Sequence, residues 1–174
     1  TTRIVEATSR TYYLKADPAA GAFQLMRYDG AGGADVPVVD HVVALSFEYF
    51  GDPQPPLVRR PLTSATGPWT TYGPKPPPPG VQASSYPAGE NCVFTSDGVA
   101  PSPRLAVLGN GSSSLVRLDV TQLSDGPWCP DATNANRFDA DLFRIRKLRV
   151  TLRLQTGNAS LRGSLLAGTD SIWV

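Results

Sequence analysis

The chain has 174 residues, enough for one domain with a real core and too few for two ordinary ones. Its 16 glycines and 17 prolines outnumber the charged residues, which are only 18% of the chain. Lys and Glu occur three times each, a balance that favours packed sheets joined by irregular loops over long solvated helices. Sixteen basic against 15 acidic residues leave +1, which removes the electrostatic argument for a nucleic-acid or anionic-membrane partner.

Apolar runs such as Val42–Leu45 fall far short of the roughly 18 residues that a membrane span needs, and residues 1–6 carry no signal-peptide core. The abrupt start, Thr1 to Arg10 leading almost directly into a strand pattern, reads as a processed product or part of a longer protein.

In chain order, Thr11-Tyr12-Tyr13-Leu14-Lys15 and Phe23-Gln24-Leu25-Met26-Arg27-Tyr28 are short aromatic and aliphatic runs, and Asp17-Pro18-Ala19-Ala20-Gly21 between them makes a hairpin turn. A second turn at residues 29–33 leads to Val36–Phe50. There Val43, Leu45, Phe47 and Tyr49 alternate with smaller or polar neighbours and predict one core face. Residues 51–103 hold 13 of the 17 prolines, including the run Pro76–Pro79, and show no sustained period, which predicts an irregular excursion stiffened by polyproline II. Strands resume at Arg104–Leu108 and Leu115–Val120. Phe138, Leu142 and Ile145 predict a short helix or turn from Asp139 to Arg146, with Asp139 or Asp141 at its positive end. In Lys147–Gln155, Leu148, Val150, Leu152 and Leu154 face one way and Lys147, Arg149, Thr151 and Arg153 the other. The expected architecture is mainly β (α+β at most), antiparallel, a single domain over residues 1–174 with 51–103 as a Pro-rich insertion. Its core should include Leu14, Leu25, Val43, Leu45, Phe47, Leu118, Val150 and Leu152.

Candidate chemistry is sparse. Cys92 and Cys129 match neither zinc-finger nor Cys-x-x-Cys spacing, so a disulfide is the better reading. Closing that loop of about 38 residues stabilises by roughly 4 kcal/mol and implies an oxidising compartment. Asp125, Asp131, Asp139 and Asp141, with Asn134 and Asn136, put hard oxygen ligands within 17 positions. These suit calcium, but they match no EF-hand spacing and equally serve turns and helix caps, so no metal is expected. Arg137, Arg144, Arg146, Lys147, Arg149 and Arg153 make a basic stretch that reads as a solvated face; no nucleic acid is expected. The sole histidine, His41, lies in an apolar strand, and no nucleophile elbow surrounds any serine. No catalytic residue and no cofactor are expected. Asn110-Gly111-Ser112 and Asn158-Ala159-Ser160 are glycosylation sequons in predicted turns.

The order Arg10-Thr11-Tyr12-Tyr13-Leu14, Leu25-Met26-Arg27-Tyr28-Asp29, Val38–Asp52 (with Leu45-Ser46-Phe47-Glu48-Tyr49-Phe50) and Ile145–Arg153 resembles the globular heads of bacterial minor type IV pilins and type II secretion pseudopilins of the J/W kind. The resemblance implies a non-enzymatic subunit exported through the bacterial periplasm to the cell surface. Such a subunit assembles with other pilin subunits, its apolar helix being supplied upstream in the precursor or by a separate helical chain, as in split pilins. Two other classes compete with it. One is a secreted carbohydrate- or ligand-binding β-domain using Trp69, Tyr72, Tyr86 and Trp128 as a stacking platform; the other is a small hydrolase dependent on His41.

Overall fold

The structure, a computed structural model, describes residues 10–28, 30, 35–59, 69–111 and 113–161. It is mainly β with antiparallel pairing, and no long helix occurs among the described residues. No helix of the described residues is long and apolar enough to cross a membrane. The expected turn at 29–33 falls almost entirely outside the described residues.

The hairpin joins β1 (Thr11–Asp17) to β2 (Ala22–Tyr28) in continuous register from Thr11 opposite Tyr28 to Asp17 opposite Ala22. The Asp17 carboxylate closes its turn by accepting the N–H groups of Ala19 and Ala20. β2 pairs with β3 (Val36–Gly51), whose 16 residues are broken in register between the Phe23–Val42 and Leu25–Val39 pairs. There His41 adopts φ 57, a left-handed conformation that a histidine adopts only where the surroundings hold it. β11 (Ile145–Leu154) lies beside β3, and beyond its end the Gln155 N–H donates to the His41 carbonyl at 2.9 Å.

Two compact units divide the chain. One comprises the stretches up to Phe47 and from Val150; the other is Glu48–Arg149, and β3 and β11 each contribute to both. In the second unit, β8 (Val116–Leu118) pairs with the end of β3, Tyr49 opposite Leu118. Three ribbons complete it: β4 (Val58–Arg59) with β5 (Trp69–Thr70), β6 (Phe94–Ser96) with β7 (Pro101–Pro103), and β9 (Trp128–Cys129) with β10 (Phe138–Asp139). A 3-10 turn, Ala140–Arg144, occupies the place expected for a short helix. Asp139 caps it by accepting the Asp141 N–H.

The core differs from expectation. Its buried cluster is Cys92, Val93, Phe94, Leu105, Cys129 and Ala140, with Val58, Tyr72, Tyr86 and Phe143 packed against it. Six of these ten residues fall in the stretch read as an irregular insertion, which therefore contributes much of the core of the second unit. Of the eight expected core residues only Leu118 is buried. Leu14, Leu25, Leu45 and Leu152 are half-buried, and Val43, Phe47 and Val150 are exposed at 37%, 47% and 43%. Alternation along a strand fixes which residues share a face; it carries no information on whether anything covers that face.

Phe94→Ala should therefore cost about 3–5 kcal/mol, as a fully buried aromatic does, whereas Phe47→Ala should cost well under half of that. Denaturant melts of the two variants check the contrast, and equal losses would place Phe47 in the core.

Candidate functional site

Three places in the structure gather the residues with chemical potential: the disulfide and its groove, the aspartates around the 3-10 turn, and the apolar side of the long strands.

Cys92 and Cys129 are bonded to one another, with Cα atoms 5.2 Å apart, and both are buried. A disulfide suits an oxidising, exported environment. Beside it lies a groove of about 540 Å³ walled by Pro74, Pro76, Pro77, Pro78, Phe138 and Phe143. The two phenyl rings meet edge to face at 5.4 Å. Nearby hydrogen-bonding capacity is already used. The Asn91 carboxamide oxygen accepts the N–H groups of Val93 and Phe94, and its nitrogen donates to the carbonyls of Pro74 and Lys75. Asn91 thus ties the proline run to the core strand, and no sequence pattern singles it out.

The structure brings Asp125, Asp139 and Asp141 within 4.8 Å of one another and leaves Asp131 out of the group. Asp131 instead closes its own turn, accepting the Thr133 N–H at 2.9 Å and hydroxyl at 2.6 Å, and these bonds hold its carboxyl below the usual range. Within the cluster, Asp139 and Asp141 are engaged by neighbouring groups. One Asp139 oxygen accepts the Gly126 N–H at 2.7 Å and the other the Asp141 N–H at 2.8 Å, while Asp141 forms an ion pair with Arg144. Burial pushes the Asp141 carboxyl above the ordinary value and outweighs the opposing pull of Arg144, with the Asp139 charge adding to the rise. The arrangement caps a turn and neutralises a buried cation.

Arg144 is the residue that sequence reasoning misread. It was counted in a solvated basic face, yet it is 1% exposed and donates to the Ala106 carbonyl at 2.6 Å. An Arg immediately before an alternating strand gives no sign of burial; only the inward turn of the 3-10 segment that it ends does. Its neighbours Lys147 and Arg149 lie over the Phe50 ring, at 5.5 and 5.3 Å, and Arg149 also donates to Glu48 at 3.0 Å.

The four aromatic residues weighed as a stacking platform occupy different surroundings. Tyr72 and Tyr86 pack against the core. The Tyr72 hydroxyl donates to the Gln54 carbonyl and that of Tyr86 to the Trp128 carbonyl, and burial pushes the Tyr72 phenol up to about 12. The Trp128 ring is covered by Arg137 at 5.1 Å, while Trp69 is 47% exposed. His41 sits at the register break of β3. A Cβ on Gly157 would lie 2.8 Å from its Nε2, its Nδ1 is buried without a hydrogen-bond partner among the described residues, and the adjacent Asp40 accepts from Gln24. Neither sequon asparagine is buried.

The third place is the apolar side of β3 and β11. Because Glu48 and Arg149 meet on one face, the odd-numbered residues of β3 beyond His41 and the even-numbered residues of β11 occupy the other. In the first unit that face carries Val43, Leu45, Phe47, Val150, Leu152 and Leu154. Four of the six are exposed, Leu154 to 52%.

No family model, no curated protein and no solved structure matches the chain.

The direction of the Asp141 shift gives a pH signature. As pH rises past about 3.8, the ordinary value, the unfolded chain releases this proton before the folded one does. Stability therefore falls until the pH exceeds the raised native value. Asp141→Asn should remove that fall, flattening the stability profile just above pH 4 in denaturant melts taken across pH; an unchanged slope would mean that Asp141 titrates normally.

Proposed function

We propose that this chain is the β-rich head of a structural subunit of an extracellular filament, a type IV pilus-like filament or pseudopilus, and that it acts through subunit contacts instead of a catalytic centre. The observation that carries the reading is the row Val43, Phe47, Val150 and Leu154, large apolar side chains that stay exposed on one face of adjacent strands. Contiguous apolar surface of this kind marks an interaction site, because leaving it in water forgoes about 25 cal/mol for each Å². The order of strand motifs that resembles minor pilins supports the same reading, and the disulfide suits the export it requires. In this reading the occupant is an apolar helix, from upstream in the same precursor or from a partner pilin chain. Contacts that propagate a filament are then heterologous, joining different patches of successive subunits.

The side chains available for chemistry are consistent with it. His41 is built into a strand bend, the aspartates cap a turn, and the loop tyrosines are core-packed, so each serves the scaffold.

Electron microscopy of native material, with this chain identified in the density, is the direct test. Phe47→Asp together with Val150→Asp should leave the melting transition of the isolated chain within a few degrees of the parent and abolish its incorporation into filaments. A monodisperse monomer with no filament association in its source cell would overturn the proposal.

A further inference from the structure

Two asparagines carry the same acceptor motif, and the backbone around them is held in different ways. We propose that Asn158 is an acceptor for an N-linked glycan and that Asn110 is not.

Transfer of a glycan to a carboxamide asks three things of the acceptor. The asparagine must be exposed, a hydroxyl must sit two residues on, and the local chain must be able to leave its native turn and enter a transferase cleft. Asn158 is exposed and follows β11. Its side-chain oxygen accepts both the Ser160 hydroxyl at 2.6 Å and the Ser160 N–H at 3.1 Å, which leaves the carboxamide nitrogen without a hydrogen bond among the described residues. A hydroxyl donated to the carboxamide oxygen draws electron density from the N–H bonds and makes their proton easier to remove, the change that the reaction needs. The remaining bonds of Asn158 stay inside the same short turn: its N–H donates to the Thr156 hydroxyl at 3.3 Å and its carbonyl accepts the Leu161 N–H at 3.1 Å. Turning Asn158 outward for an enzyme breaks its bonds to Thr156, Ser160 and Leu161, all within three positions of Asn158. Gly157, seated against the His41 ring, marks where the anchored part of the chain ends.

Asn110 is held from both sides. It sits at φ 56, at the kink of the short segment Gly109–Gly111. The Gly111 N–H donates to the Leu108 carbonyl at 3.1 Å, the Gly111 carbonyl accepts the Gln54 side chain at 3.1 Å, and the Leu108 N–H donates to the Pro53 carbonyl at 2.8 Å. On Gly109 a Cβ would come within 2.4 Å of Val116 Cγ1. Drawing this sequon into an extended conformation would break contacts with residues 53–54, more than fifty positions away in the chain.

The co-reactant is a glycan linked through diphosphate to a lipid. A bond forms between Asn158 Nδ2 and the anomeric carbon, the bond from that carbon to the phosphate oxygen breaks, the lipid diphosphate leaves with the electron pair, and the carboxamide proton passes to a base of the transferase. The inference needs only an exported chain and stands independently of the filament reading.

The test is peptide mass spectrometry of the full chain isolated from its source cell and digested with protease. Expected is a glycan mass on the peptide containing Asn158, absent from the one containing Asn110. Ser160→Ala should remove it, Ser160→Thr should retain it, and neither should shift the melting temperature by more than a few degrees. An unmodified Asn158 in source material, a glycan on Asn110, or a glycan that survives Ser160→Ala would each overturn the proposal.

Discussion

One buried guanidinium organises the larger unit. Arg144 is among the largest fully buried side chains, and a cation taken from water costs several kcal/mol unless each donor finds an acceptor. Its partners come from three separated stretches: the Asp141 carboxylate, the Ala106 carbonyl, and the carbonyls of Asp52 and Pro53 at 3.4 Å. Its own carbonyl accepts the Asp52 N–H at 3.0 Å. The end of β3, the segment before β8 and the turn before β11 are thereby fixed to one another. Gly51 is glycine for the same reason, since a Cβ there would come within 2.7 Å of Leu118 and 3.1 Å of the Arg144 Cβ.

Around that node the second unit dispenses with long strands. Ribbons of two or three residues pair weakly by themselves, so the order of residues 69–139 depends on cross-ties. The disulfide joins positions 37 residues apart, Asn91 binds the proline run to the core strand, and the Glu90–Arg104 ion pair with Tyr86 beneath it closes the β6–β7 ribbon. Proline adds to this by lowering the entropy of the unfolded chain, which stabilises a loop whose φ angles it already matches. A segment that carries no periodic signal thus becomes rigid through side-chain chemistry and covalent closure.

The two sides of the long strands contrast. In the second unit Glu48 meets Arg117 and Arg149, and Phe50 lies under Lys147 and Arg149, so the charged side is internally matched. On the apolar side of the first unit Val43, Phe47, Val150 and Leu154 stay exposed. That contrast, with charged groups paired and aliphatic ones left exposed, is what ties the proposed role to contacts between subunits. His41 and the clustered aspartates sit where the backbone bends or a turn is capped.

What the sequence determined by itself was local. The Tyr12–Tyr28 hairpin, the register of alternation in Val43–Tyr49 and Leu148–Leu154, the turn capped by Asp139 and the mainly β class all follow from dihedral preference and period, properties of a few neighbouring residues. The pairing of Cys92 with Cys129 was legible because two cysteines allow one bridge. Tertiary structure decided the rest, for a physical reason common to each case: burial and polar satisfaction depend on residues far away in the chain. Phe94 and Val93 became core and Val150 became surface according to what lies over them. Arg144 went inside because carbonyls from residues 52, 53 and 106 converge on it. Asp139 and Asp141 gave oxygens to Gly126 and Arg144, and two Asn-x-Ser sequons came to differ because distant partners hold the Asn110 turn while Asn158 bonds with Thr156, Ser160 and Leu161.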